Sequence, residues 1–425
     1  MSALLNKRTL AWAFYDWANS AYATIVMTAF FPIIFGTYWY TQENTTTPLG
    51  LADAAASLVI ALLAPVLGAV ADRGGLKKRF LLVFLCVGVT SIMALSFVGK
   101  GEWLLALMIY VLSFVGFAGA NVFYDAMLVE VSSQEKLDMT SALGYSLGYI
   151  GGGVALLVCV VYASPEKFGM THTTPLAEMT GVFLFVGLWW AIFSLPLLLS
   201  VKETRDSVAM PMGMAIKQGL LQLAHTLREI RKLKVIFTFL LAYWFYIDGV
   251  DTIILMAGDY GRNIGFDSGD LIMAFLLTQF VAFPAAIVYG KIGEKLGVKS
   301  ALLIAIVIYI GITIYGSMMT QPRDFYILAI IVGLVMGGIQ SLSRSLYARL
   351  IPANKAAEFF GFYNMLGKLA AVLGPALMGI TRHFTGSPRL AILSVMVFFV
   401  IGGILLSRVN VDEGINMAHS LEKIN

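Results

Sequence analysis

Gly68-Ala69-Val70-Ala71-Asp72-Arg73-Gly74-Gly75-Leu76-Lys77-Lys78 returns 222 residues later as Gly290-Lys291-Ile292-Gly293-Glu294-Lys295-Leu296-Gly297-Val298-Lys299. Glycine, acid, base, glycine and base stand at the same offsets in both, the mark of an internal repeat. The register continues with a shift of 219: Asn121, Tyr124 and Asp125 match Gln340, Ser343 and Arg344, and Gly148-Tyr149 matches Gly367-Lys368. Asp16-xx-Asn19-Ser20 likewise stands against Asp248-xx-Asp251-Thr252. The chain therefore reads as two related halves, each with a short charged turn between long apolar runs.

Those runs decide the solvent. Of 425 residues 59% are hydrophobic and 13% charged, against about 25% charged in soluble domains. A run of roughly 20 apolar residues crosses a bilayer. Such runs fall near 10–38, 49–71, 80–98, 103–128, 140–162 and 178–201, then near 235–258, 268–290, 300–319, 325–347, 358–381 and 389–408. The layout predicts an all-α membrane protein with twelve transmembrane helices. It has an N-terminal bundle over 1–201, a linker over 202–234 and a C-terminal bundle over 235–425. A soluble enzyme, a disordered chain and a nucleic-acid binder are excluded. Lys7, Arg8 and Ala21-Tyr22-Ala23 imitate a secretory signal, but Asp16 and Asn19 interrupt the run and favour an uncleaved first helix.

If spans alternate sides, 22 of the 29 Lys and Arg lie with the termini and the even-to-odd loops, six lie opposite, and Lys368 is mid-span. That places both termini and the linker on the cytoplasmic side. Met214 to Lys234 alternates apolar and basic residues at helical spacing, as a membrane-surface helix or a solvated one would. Cys86 and Cys159 sit in apolar runs without metal or disulfide spacing, and no His pairing calls for a metal, so no cofactor is expected.

An ionisable group at the bilayer centre costs about 2.5–3.5 kcal/mol on insertion scales. Such groups gather on single helix faces: Asp16 with Asn19, Asn121 with Tyr124 and Asp125, Asp248 with Asp251, Gln340 with Arg344, and Asn364 with Lys368. Two readings follow, a water-accessible cavity between the halves or ion pairs that hold the bundles together, the second applying most to Asp125 and Arg344. The charged turns read as gates. Gly68 and Gly290 permit close helix approach, and Gly75 and Gly297 mark the turns. Asp72 and Glu294 are placed to accept from a neighbouring helix N-terminus. Arg73, Lys77 and Lys78 are free to pair with Glu130 or phospholipid, and Lys295 and Lys299 belong to the second gate.

The turn at 68–78 resembles the loop signature of the major facilitator superfamily. Within it, Tyr15-Asp16-Trp17-Ala18-Asn19-Ser20-Ala21 and Gly338-Ile339-Gln340-Ser341-Leu342-Ser343-Arg344-Ser345 resemble the "unknown major facilitator" family, which includes autophagy-related vacuolar amino-acid effluxers. Agreement extends to Asp248-Gly249-Val250-Asp251-Thr252-Ile253, Pro352, Phe359 to Tyr363 and Gly367-Lys368 through Gly374-Pro375. The resemblance implies two pseudosymmetric six-helix bundles, a midplane substrate site and rocking between two openings. Span four has Asp125 and Glu130 but no Arg of the kind many proton antiporters use.

The expectation is a secondary active transporter, not an enzyme, monomeric in the inner (plasma) membrane. Its partners are a small polar or zwitterionic solute, protons and the lipid bilayer. Asp16, Asp248 and Asp251 are the candidate proton or ammonium sites, and Lys368 and Arg344 face a substrate carboxylate. Alternatives on the same fold are a drug or siderophore exporter, a lipid flippase and a channel.

Overall fold

The structure, a computed structural model, describes residues 6–40, 46–163, 174–175, 178–202, 212–229, 233–266 and 268–424. Among the described residues twelve helices are long and apolar enough to cross a membrane. Spans one to six are Lys7–Trp39, Thr47–Gly74, Lys77–Phe97, Trp103–Val131, Gln134–Ala163 and Glu178–Ser200. Spans seven to twelve are Lys234–Gly258, Met273–Leu296, Val298–Met318, Pro322–Leu350, Ala353–Thr385 and Pro388–Ser407. No strand occurs among the described residues. The spans are apolar nearly all round because they bury one side in protein and turn the other, with Leu58, Leu62, Val307 and Ile404 exposed, toward lipid.

Proline sits inside spans two, eight and eleven at Pro65, Pro284 and Pro375 without ending them. In span one the turns widen before and after Pro32, and the Phe31 N–H reaches back to the Val26 carbonyl. Wide turns of this kind recover backbone bonds near a residue that lacks a donor.

The halves meet along two antiparallel pairs. Spans two and eleven touch where a Cβ on Gly68 would lie 2.1 Å from the Ala357 carbonyl oxygen and, one turn on, a Cβ on Gly361 would lie 2.6 Å from that of Ala64. Spans five and eight touch where a Cβ on Gly290 would lie 2.8 Å from that of Ala142. Ser146 Oγ donates to the Phe283 carbonyl at 2.8 Å along the same pair. Small residues let the backbones approach, and dispersion between closely spaced helices takes the place of the hydrophobic effect that lipid cannot supply.

The repeated turns have the same construction. Gly75 and Gly297 carry positive φ of 58° and 84°, which glycine adopts without steric cost. Lys78 Nζ donates to the Val201 carbonyl at 2.8 Å just past the end of span six. Lys299 Nζ donates to the Ser407 and Val409 carbonyls at 2.7 and 2.8 Å at the end of span twelve. Each lysine thus satisfies carbonyls at the end of the last helix of its own half.

Between the halves runs a helix, Met212–Glu229, with Ala215, Gln222, Leu223 and Thr226 buried and Met214, Ile216, Leu220 and Leu221 exposed. Its Gly219 lies so close to Val70 of span two that a Cβ would stand 2.8 Å from backbone atoms. The linker helix is therefore seated on the protein by one face, which the pattern of Met214 to Lys234 alone left open. Linker residues 203–211 and 230–232 lie outside the described residues. A final helix, Val411–Ile424, contacts spans seven and ten.

Gly361→Val has no room without moving backbone and is expected to loosen the contact of spans two and eleven. In a background without Cys86 and Cys159, a cysteine at position 64 is then labelled several times faster by a polar maleimide applied from the side bearing the termini. Unchanged labelling would refute the contact.

Candidate functional site

Arg344 of span ten lies at the join of the two halves, 1% exposed. Its Nη1 meets Asp125 Oδ1 at 3.1 Å and its Nη2 meets Asp16 Oδ2 at 3.3 Å. Nε donates to Ser141 Oγ at 2.9 Å and Nη2 to the Ser141 carbonyl at 3.1 Å. The guanidinium lies 4.3 Å from the Tyr145 ring centroid and 4.9 Å from that of Trp12, a placement that adds cation–π attraction. Tyr124 donates to Asp16 Oδ2 at 2.7 Å, and Asn364 donates to Asp125 Oδ2 at 3.0 Å. Five spans, one, four, five, ten and eleven, converge on one cation. Gly144 makes the space, since a Cβ there would lie 2.5 Å from Asp16 Oδ2 and 2.9 Å from Arg344 Nη2.

In the conformation described, Arg344 faces two acids of the protein itself, where the sequence reading set it against a substrate carboxylate. All three of its nitrogens are bonded within the protein, and the two acids that hold it are Asp16 and Asp125. The ion-pair reading describes these three residues. Asn19 and Asn121 form a separate bond at 2.6 Å between spans one and four. Tyr149 donates to Gln340 across the halves.

The side bearing the termini is closed by a second layer. Asp72 Oδ1 and Oδ2 accept the N–H groups of Ala357 and Glu358 at 3.1 and 2.8 Å, at the start of span eleven. A carboxylate there satisfies orphan donors and lies at the positive end of the helix dipole. Lys77 Nζ bridges Asp72 and Glu130 at 3.2 and 2.8 Å. Arg73 is half-buried, its Nε without a hydrogen-bond partner.

The second repeat does not copy this. Glu294 and Lys295 are exposed, and neither enters the gate. At this junction the buried acid is Asp138, 2% exposed in the first turn of span five. Asp138 pairs with Arg349 of span ten at 2.7 Å. Arg349 holds the repeat position of Glu130, and Asp138 that of Ala357, so extending the shift of 219 would have found both. Beneath the first gate, Gln222 of the linker helix donates to Glu358.

Toward the opposite side the ionisable groups are less enclosed. Asp251 and Lys368 are half-buried. Asp53 is exposed although it lies on the face of span two opposite Leu51, Leu58 and Leu62. Tyr110 donates to Asp53 at 2.7 Å. Lys368 Nζ lies 5.4 and 5.7 Å from the ring centroids of Phe114 and Phe117, with Asp251, Asp125 and Asp53 as the acids in its surroundings. Asp53 escaped the sequence reading because it sits near the start of its apolar run, where an interfacial position explains an acid. Asp248, 1% exposed, accepts the Gly374 N–H at 3.0 Å. An apolar hollow of about 700 Å³, lined by Tyr40, Leu51, Trp103 and Met108 among others, contains none of these groups.

The profile of the "Vacuole effluxer Atg22 like" family matches residues 40–138 and 129–419. The chain is 38% identical to the MFS-type transporter YxiO of Bacillus subtilis over 96% of both chains. The chain belongs to the Atg22-like family. It is 27% identical to Autophagy-related protein 22-1 of Aspergillus niger, over 71% of this chain but about half of that protein's length (52%). Among solved structures, the human organic anion transporter MFSD10 superposes with a TM-score of 0.71 at 14% identity, covering 94% of this chain and 99% of that one. The proton:xylose symporter XylE superposes with a TM-score of 0.69 at 12% identity, covering 95% and 94%. At such identities these likenesses establish the major facilitator fold. This Atg22-like chain is accordingly a multi-pass membrane transporter.

Two outcomes check the site. Arg344→Gln leaves two acids buried without their cation and is expected to cost about 3–5 kcal/mol of stability. Adding Asp16→Asn and Asp125→Asn should restore most of it in thermal unfolding of the detergent-purified protein, and a triple variant no better than Arg344→Gln alone would refute the ion-pair reading. Asp72→Asn is expected to fold and to raise accessibility from the side bearing the termini. Labelling identical to the parent would remove its gating role.

Proposed function

We propose that this chain is a secondary active transporter that carries a small zwitterionic solute, amino-acid-like in its charges, by alternating access. The observation that carries the reading is the greater exposure of Asp53, Asp251 and Lys368 compared with Asp16, Asp125 and Arg344. Lys368 and Asp251 make no hydrogen bond among the described contacts, so both retain capacity for a ligand. A solute carboxylate meets Lys368, and its ammonium group meets Asp251 and Asp53. Neither charge of a zwitterion would enter the membrane unpaired, which removes most of the cost of carrying it. Phe114 and Phe117, beside Lys368, favour a solute with an apolar part.

Alternating access follows from where the halves touch. In the conformation described, the contacts of spans two with eleven and five with eight, the Asp72 bonds and the Arg344 lock all close the side bearing the termini. The charge bias of the loops supports a cytoplasmic location for that side, and the reading sets the chain in a plasma membrane. Opening it requires the Arg344 pairs to separate, so entry of a solute beside Asn364 and Lys368 is coupled to the same five helices. A monomer contains every group named.

The test is a thermal-shift screen of the purified protein against amino acids, peptides, siderophores and drugs, followed by flux of each hit in proteoliposomes. An amino acid or similar zwitterion is the expected hit. Lys368→Ala should weaken binding of that hit at least tenfold, which is about 1.4 kcal/mol, while leaving an analogue without the carboxylate unaffected. Stabilisation only by drugs or siderophores would favour an exporter of larger solutes, and equal weakening of both analogues would remove the role of Lys368.

A further inference from the structure

Asp248 of span seven is 1% exposed and forms no ion pair among the described residues. Its Oδ1 accepts the Gly374 N–H at 3.0 Å and lies 3.5 Å from the Thr252 hydroxyl. Its Oδ2 is buried without any hydrogen-bond partner. The crossing of spans seven and eleven at this point is tight: a Cβ on Gly374 would stand 1.6 Å from Thr252 Oγ1 and 2.9 Å from Asp248 Oδ1. The next residue, Pro375, has no N–H, so span eleven is weakened one residue past the contact.

The charged groups on the elements packed against this stretch are all otherwise engaged or distant. Asp251 lies one turn along span seven. Lys368 of span eleven acts on Asp251. Arg344 of span ten is held by Asp16 and Asp125. Arg389, in the short helix that opens span twelve, donates to the Met319 carbonyl. The rest of span twelve, Met396–Ser407, has no titratable group, and Lys291, Glu294 and Lys295 of span eight and Asp412 and Glu413 of the last helix lie near the side bearing the termini. Tyr309 of span nine is buried and stacks on Phe399 of span twelve, its hydroxyl unpartnered.

A charge in such a place pays desolvation with only one good hydrogen bond in return. A metal ion would need several oxygens around it, and the crossing has no room for them. We propose that Asp248 is the proton-binding site of this transporter, neutral in the sealed crossing described here and ionised when span eleven bends away at Pro375. This rests on the transport reading above and names its coupling ion. The exchange is complete in itself: Oδ2 takes a proton from water that arrives past the half-buried Asp251, and returns it to water after the crossing opens. Because the proton binds the sealed form better, protonation shifts the population toward it.

The test is infrared spectroscopy of the full chain in lipid bilayers, without any solute. The parent protein should show the carbonyl stretch of a neutral carboxylic acid at neutral pH. Asp248→Asn should lose it, and Asp251→Asn should keep it. A band retained in Asp248→Asn overturns the proposal. Should that variant not reach the membrane, Asp248→Glu serves, where a shifted band supports the assignment and an unshifted one overturns it. Sodium chloride in place of choline chloride at fixed pH should leave the band unchanged, and its loss would make the site a metal-cation site instead. Since no solute is involved, failure of the solute screen counts against the transport reading alone, and failure of the band counts against this inference alone.

Discussion

A charged side chain inside hydrocarbon must find a partner, and in this chain that requirement falls hardest on Arg344. Its guanidinium cannot be neutralised at any working pH, so every conformation must supply oxygens for it. In the one described, Asp16, Asp125 and Ser141 do so from the other half of the molecule. The two halves are thereby joined by an interaction that is strong while it is dry and costly to leave half-made. Asparagine, glycine and aromatic residues around it fit this purpose: Asn364 fills the remaining Asp125 oxygen, Gly144 gives the space, and Trp12 and Tyr145 cover the cation.

Two bundles of one ancestry would make symmetric gates if sequence repetition were the only constraint. Electrostatics breaks the symmetry. On the first side an acid in the turn, Asp72, accepts the N–H groups of Ala357 and Glu358 at a helix start. On the second, the corresponding helix start already bears Asp138, and the bridge passes to Arg349. Each junction has an acid at a helix N-terminus and a nearby cation, but the acid comes from opposite partners. Near-equal junctions with different wiring let the two sides of the interface separate with different energies.

Much of this was legible in the sequence, and the limit is physical. Twelve spans, the repeat and the candidate polar faces follow from hydropathy and periodicity, which are local properties. The partners of Arg344 do not: Asp16 and Asp125 lie 328 and 219 residues away, and a helical face says only that a group points inward. The pattern therefore left both a cavity and an ion-pair cluster open, the second applying most to Arg344 and Asp125. Glu294 shows the opposite failure, a motif position that matched perfectly and lost its role to a neighbour, Asp138, that the motif does not include. Asp53 was hidden because an acid near a span end has an ordinary interfacial explanation.

The linker helix adds a constraint that neither half contains. Gln222 donates to Glu358, whose own N–H is held by Asp72, while Gly219 lies against Val70 two residues before Asp72. The linker thus touches both members of the first gate, spans two and eleven, where they close. A segment that merely tied two bundles together would need no buried face and no glycine at a backbone contact. Because Glu358 is fully buried, separating span eleven from span two exposes or strands its carboxylate unless Gln222 moves with it. The linker helix must therefore follow one span or the other when the gate opens. Its closer backbone contact is with span two, so the Gln222–Glu358 bond is the one that geometry sets to break.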